Sequence, residues 1–202
     1  MEVKYKDSLM FPAVTVCNNN WLRKGVLNDS GVLDFGLSLS SFDYPVVNSS
    51  SYNLTEFFMT YGHQMDRVFD LPWNCDWKLT DCTSANFTKR ITDMGMCFTF
   101  NHGGDLRSTF PGEDYGLRLG LFAEQDQYLP ATSKAGFTVL LHQPTDVPRM
   151  ANGFQVTTGE SLIVAISMTE VHNLPEPYGG CTSKKLAYYP IYSATNCRSE
   201  CL

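Results

Sequence analysis

Seven cysteines are the residues of this chain best equipped for chemistry: Cys17, Cys75, Cys82, Cys97, Cys181, Cys197 and Cys201. Thiols form disulfides in an oxidising compartment and bind metals or do redox work in a reducing one. Four Asn-x-Ser/Thr sequons stand among them, at Asn28, Asn48, Asn53 and Asn86, none with proline in the middle. Sequons beside many cysteines point to the secretory, oxidising side. Cys75 and Cys82 close a short loop that its charges and Trp77 hold partly at the surface. That spacing favours a disulfide over zinc. A zinc site needs four ligands, usually as two close pairs, and the nearest histidine, His63, has no paired spacing. Cys181, Cys197 and Cys201, with no histidine nearby, read as cysteines awaiting partners further along. The odd count leaves at least one thiol without a partner in the chain.

Other chemistry is thinly supported. His63, His102, His142 and His172 are scattered, and a lone histidine is usually a surface or strand residue. There is no GxGxxG, P-loop, HExxH or GxSxG run, so no motif supports an enzyme, a cofactor or a metal. The formal net charge of −6 and the lack of a basic cluster argue against nucleic acid. Asp81, Glu124 and Asp126 are candidates for sensing protons or a ligand. Each is a single acid in its own segment, and the plain expectation for each is a solvated surface carboxylate.

Elements must position these groups. Residues 9–17 read as a strand, with Pro12 at a place where a missing N–H is tolerated. Gly95-Met-Cys-Phe-Thr-Phe-Asn101 is a second β-rich run with one thiol. Two such strands can be neighbours in one sheet joined by a disulfide. Residues 18–52 read as loops with one short helix. Leu54, Phe57, Phe58, Tyr61, Met65, Val68 and Phe69 recur at three- and four-residue steps, predicting a helix of about four turns. Asn53 is its N-cap, with Glu56 placed for a capping box. A glycan on Asn53 would compete with that cap. Pro72 ends the helix. Gly116–Phe122, with Leu117, Leu119 and Leu121 on one face, reads as a strand, as do Phe137–Gln143 and Leu162–Ile166. The fold class is α+β, with helices early and strands late.

Nothing here exports the chain. Residues 1–7 have charges but no apolar core behind them, and no stretch approaches the ~20 apolar residues of a membrane helix. With the odd cysteine count, this predicts a fragment cut at both ends.

Several motifs, in order, resemble the degenerin/epithelial sodium channel family, and most closely its acid-sensing and bile-acid-sensing branch. Phe11-Pro-Ala-Val-Thr-Val-Cys17-Asn is similar to the strand leaving the first membrane helix. Asn53-Leu-Thr-Glu-Phe-Phe and Tyr61-Gly-His-Gln-Met resemble the finger helix, and Cys75…Cys82 the finger-loop disulfide. Gly95–Asn101 is similar to the "GxCYTFN" signature. Gly116-Leu-Arg-Leu and Gln125-Asp-Gln-Tyr-Leu-Pro130 resemble the next palm strand. Ala135–His142 and Gly153-Phe-Gln-Val resemble β-ball and palm strands. Leu174-Pro-Glu-Pro-Tyr-Gly-Gly-Cys181 resembles the "LPPPWGxC" wrist, and Tyr192–Cys201 the start of the thumb.

The resemblance implies a partial extracellular domain. Its parts would be a palm strand at 9–18, a finger at 19–93, palm strands at 94–130, a β-ball at 131–152, palm and wrist at 153–181 and the thumb's start at 182–202. It implies the disulfides Cys17–Cys97 and Cys75–Cys82. It implies partners for Cys181, Cys197 and Cys201 beyond the end, and wrist coupling through Tyr178, where the family has Trp. Both membrane helices would be absent. The full-length protein would be a trimeric, plasma-membrane, amiloride-sensitive-type sodium channel, with two further subunits, sodium ions and an unknown extracellular ligand as partners. The alternative is a secreted, disulfide-stapled binding module without a pore. Acids that the acid-sensing branch carries are missing at Asn18–Trp21 and Pro130–Lys134. A sharp proton response needs clustered carboxylates, so a weak response to mild acid is expected.

Overall fold

The computed structural model describes residues 7–40, 52–68, 74–130, 132, 134–169, 177 and 185–201. The chain divides into two compact units, Met1–Pro144 with Pro148–Gly159, and Thr145–Val147 with Glu160–Leu202.

The first unit is built on an antiparallel five-stranded sheet. Its central strand is β2 (Ala13–Asn18), flanked by β6 (Gly95–Phe100) and β9 (Gly136–His142). β5 (Phe87–Thr92) and β10 (Phe154–Thr157) form the edges. Every residue of β2 and β6 is buried, because the sheet is covered on both faces. Side chains alternate across a strand. Val14, Val16, Met96, Phe98 and Phe100 enter the main core with Phe11, Phe87 and Phe137. Cys17 and Cys97 point to the other face with Leu140 and Met150. On that second face the Thr15 and Thr99 hydroxyls meet at 2.8 Å, and Thr15 also meets His142 Nε2 at 2.8 Å.

The strand expected over 9–17 is two strands. β1 (Leu9–Met10) pairs with β7 (Arg107–Ser108), and β2 begins after Pro12. Proline cannot donate to the ladder, so the break falls there. β3 (Cys75–Trp77) and β4 (Thr80–Asp81) form a hairpin whose two turn residues, Lys78 and Leu79, both have positive φ. That is the backbone of a type I′ turn. β8 (Leu117–Leu119) pairs with β3 and completes a three-stranded sheet.

The first unit carries four helices among its described residues: α1 (Lys24–Asp29), α2 (Leu33–Ser40), α3 (Leu54–Tyr61) and α4 (Met65–Val68). The described residues of segment 18–52 thus hold two helices where one was expected. Leu27, Phe35 and Phe57 bury a second apolar cluster between them. The expected four-turn helix is broken at Gly62, His63 and Gln64. Gly62 is extended (φ −69°, ψ 166°) and ends α3. A β-carbon there would lie 2.6 Å from the Phe58 carbonyl oxygen. Arg23 Nε and Gln64 Nε2 both donate to the Gly62 carbonyl, at 3.2 Å each. These bonds satisfy a helix-end carbonyl that has no partner within the helix.

Asn53 does cap α3: its Oδ1 accepts from the Thr55 and Glu56 backbone N–H at 3.1 and 3.3 Å. The reciprocal Glu56 bond of a capping box is not formed. The expected competition with a glycan does not arise, because the cap uses Oδ1 and an N-glycan is attached through Nδ2.

One further expectation is corrected. Leu162–Ile166 is not a strand: residues 160–169 have no ladder partner among the described residues, and Leu162, Ile163, Val164 and Ile166 are exposed. β-propensity makes a strand only where another strand supplies the hydrogen bonds. The α+β class holds, with helices early and strands late after the first strands: α1–α4 precede β3–β10, and α5 (Ala194–Glu200) comes last among the described elements.

In the second unit, α5 (Ala194–Glu200) starts at Ser193, whose hydroxyl accepts from the Asn196 N–H at 3.0 Å. Fully buried Asn196 accepts from the Val147 N–H at 3.0 Å and donates to the Thr145 and Ile191 carbonyls at 3.1 Å each. No described helix is long and apolar enough to cross a membrane.

Candidate functional site

The end of β2 is a polar hub. Asn18 Nδ2 donates to the Ala123 carbonyl at 3.0 Å. Its Oδ1 accepts from the Asn20 N–H at 2.9 Å and the Tyr128 hydroxyl at 2.7 Å. These bonds draw segment 123–129 against the strand. They also set Glu124 in place. Its φ of 50° lies in the left-handed region, uncommon for a residue with a side chain.

Glu124 is only 5% exposed, and His63, following the helix-ending Gly62, is 2% exposed. His63 Nδ1 lies 2.8 Å from Glu124 Oε2. His63 Nε2 lies 3.3 Å from Asn20 Oδ1, and Asn20 is itself 1% exposed. The Tyr128 ring sits edge-on, its centroid 5.9 Å from that of His63. Burial raises the Tyr128 pKa, as does the Glu124 charge, against the bonds to Gly136 and Asn18. The phenol therefore stays neutral at ordinary pH.

Glu124 also borders an open cleft of about 350 Å³ lined by Arg23, Asp29, Arg67 and Asp126. So the expectation of a solvated surface carboxylate fails for Glu124, which is buried against an imidazole. It holds for Asp126, which is exposed and accepts from Gln127 Nε2 at 2.8 Å. Exposed Asp81 lies elsewhere, in a cavity of about 380 Å³ with Trp77, Phe100, His102 and Asp105. Burial, and then the Arg90 charge, lowers the His102 pKa.

The tertiary structure thus brings Glu124 and Asp126 to one cleft and leaves Asp81 apart. It adds His63 and Asn20, which sequence reasoning did not single out. No local signal marked His63, because Gly62 before it reads in the sequence as part of a continuous helical face. With Nε2 against an amide rather than a hydroxyl or thiol, the pair can hold a proton but has no nucleophile to activate.

Two disulfides are closed, Cys17–Cys97 and Cys75–Cys82. Cys197 and Cys201 are free, and Cys181 lies outside the described residues. Asn28, Asn53 and Asn86 are exposed, while Asn48 and Tyr178 lie outside the described residues. Among the described residues no group of three or more His, Cys, Asp or Glu side chains could hold a metal ion.

The sequence profile described as amiloride-sensitive sodium channel matches residues 1–202, the whole chain. The chain belongs to the amiloride-sensitive sodium channel family. Relatives of this sodium channel family chain include acid-sensing ion channel 1B of Danio rerio, 31% identical over 225 residues, covering 100% of this chain and 40% of the relative. Acid-sensing ion channel 2 of Rattus norvegicus is 30% identical over 233 residues, covering 96% of this chain and 45% of the relative. Human acid-sensing ion channel 4 is 29% identical over 216 residues, covering 95% and 39%. The chain spans less than half the length of these curated relatives. The family matched and the relatives named are ion channels, not enzymes.

Proposed function

We propose that these residues form an extracellular sensing and gating region of an amiloride-sensitive-type sodium channel subunit, working at the plasma membrane with two further subunits. The observation that carries this reading is the family match along the whole chain. The disulfide-clamped sheet supports it, because a rigid sheet can pass a displacement from one end to the other. In this reading β2, β6, β9 and β10 belong to the palm and β-ball. Helices α1–α4 and the Cys75–Cys82 hairpin form the finger, residues 153–181 carry palm and wrist with Tyr178, and 182–202 start the thumb. Cys181, Cys197 and Cys201 find partners further along. Sodium passes through a pore built elsewhere in the full-length subunit, and an extracellular ligand, a proton or force supplies the stimulus.

The test is expression of the full-length protein with whole-cell recording. The expected result is a sodium current blocked by amiloride. A secreted, soluble product with no current would overturn this reading in favour of a disulfide-stapled binding module.

A further inference from the structure

We propose that an N-glycan on Asn86 is a structural ligand of this fold, its first sugar lying in the cavity beside Trp77 and tying the Cys75–Cys82 hairpin to the end of the central sheet. The inference goes beyond the channel reading and holds for the chain in any secretory product.

Of the described sequon asparagines, Asn86 alone borders either of the two clefts. It is exposed and lines the cavity of about 380 Å³ that also holds Asp81 and His102. Asn28 and Asn53 line neither this cavity nor the cleft at Glu124. The Asn86 side chain is held ready for attachment. Its Oδ1 accepts from the Thr83 N–H at 2.9 Å, and the Thr83 hydroxyl accepts from the Ala85 N–H at 3.4 Å. This cap fixes the carboxamide and uses only its oxygen. Nδ2 makes no hydrogen bond among the described residues. Attachment forms the bond from Nδ2 to C1 of the first N-acetylhexosamine. It breaks the bond from C1 to the pyrophosphate-linked lipid donor and releases one amide proton. Thr88, the third residue of the sequon, lines the same cavity.

The walls suit a sugar. A pyranose ring has an apolar C–H face and a rim of hydroxyls, so it needs an aromatic surface with a few placed polar groups. Trp77 supplies the aromatic ring. It is partly exposed and is held by Phe11 at 4.5 Å and Phe100 at 5.6 Å between ring centroids. Asp81 and Asp105 supply carboxylate oxygens. Both are exposed, and neither has a hydrogen bond or ion pair among the described residues. His102 adds a neutral imidazole, because burial and then the Arg90 charge lower its pKa. A neutral ring offers one donor and one acceptor, as a hydroxyl partner requires. The volume lies within the range of small-ligand sites, about 300–1,000 Å³.

These walls come from separate elements. Trp77 and Asp81 stand on the β3–β4 hairpin, Thr88 on β5, and His102 and Asp105 on the turn after β6. That turn is fixed at its start. Asn101 has a φ of 57°, and its amide donates to the Phe11 carbonyl at 2.6 Å and accepts from the Leu106 N–H at 3.0 Å. A sugar held by all three walls adds contacts between hairpin and sheet. It also covers the start of β5, an edge strand whose outer backbone groups need protection.

The experiment uses the full-length protein from cells with a secretory pathway. Glycopeptide mass spectrometry is expected to find Asn86 occupied. Hydrogen–deuterium exchange is then followed in peptides spanning residues 77–82 and 101–106. Trimming to one sugar with an endoglycosidase is expected to leave their exchange unchanged. Complete removal with a peptide N-glycosidase is expected to speed it about fivefold, the weight of one net hydrogen bond. Thr88→Ala removes the sequon but keeps the Asn86 cap, and should match complete removal. Thr88→Ser keeps the sequon and should match the wild type. Asn28→Gln, which removes a glycan remote from the cavity, should leave both peptides unchanged. An unmodified Asn86, or the same exchange with and without its glycan, would overturn the proposal. So would an equal effect of Asn28→Gln, which would mark a general effect of glycans. None of these readouts uses ion current, so their failure leaves the channel reading in place, and a protein without current leaves the glycan site in place.

Discussion

Cys17 and Cys97 stand directly opposite each other on neighbouring antiparallel strands, 4.5 Å apart at Cα and joined by a disulfide. That separation is the spacing of a non-hydrogen-bonded antiparallel pair. The bond therefore clamps two strands already in register at the centre of the sheet, and both sulfurs are fully buried.

Non-reducing peptide mapping of the secreted-pathway protein is expected to recover Cys17 with Cys97 and Cys75 with Cys82. Replacing Cys17 and Cys97 together by Ala should cost about 2–5 kcal/mol of stability, the usual loss for a native disulfide. A Cys75–Cys97 peptide would contradict the pairing.

Gly136 is the second checkpoint. Its φ is +133°, and a β-carbon there would lie 2.1 Å from the Val156 carbonyl oxygen on β10. Backbone cannot yield as a side-chain tip can. Gly136→Ala should lower stability by about 3 kcal/mol, at the severe end for a point change. Thermal unfolding measures it. A loss below ~1 kcal/mol would mean that the β9–β10 ladder is looser than this contact requires.

The cap and the sequon at Asn53 are separable by substitution. Asn53→Ala removes the cap and the sequon, and should cost about 1 kcal/mol. Asn53→Asp removes the sequon but keeps an oxygen acceptor for Thr55 and Glu56. It should lose a glycosidase-sensitive gel shift while keeping wild-type stability. Equal destabilisation by both changes would argue against the cap.

His102 gives acid a cost with a definite sign. Its pKa is lowered by burial and by Arg90, so the unfolded chain takes up the proton more readily than the folded one. The contribution is whole above the unfolded-state pKa and is lost as pH falls towards the folded-state value. His102→Gln should flatten the decline in melting temperature between about pH 7.5 and about pH 5.5. A steeper decline in the variant would reverse the assignment.

Much of the fold is legible in the order of the residues alone. The Val-, Thr- and Phe-rich runs around Cys17 and Cys97 mark strands by composition, and Asn53 ahead of an apolar face marks a helix start. The ordered motifs around Cys17, Cys75, Cys82 and Cys97 resemble one family, and that family is the one the whole chain matches. These are local signals, written in neighbouring residues.

What only the tertiary structure decided depends on residues far apart in the chain. Glu124 reads as a surface acid because nothing near it in sequence accounts for it; its partner His63 is 61 positions away. Gly62 reads as one residue in a continuous helical face, yet packing against Phe58 and Met96 leaves no room for a side chain and turns the chain there. Leu162–Ile166 has the composition of a strand, but composition cannot provide the neighbouring backbone that makes one. Periodicity records which face of an element is buried. Which buried polar groups meet, and whether an apolar run finds a partner, is settled by long-range contacts that no local window contains.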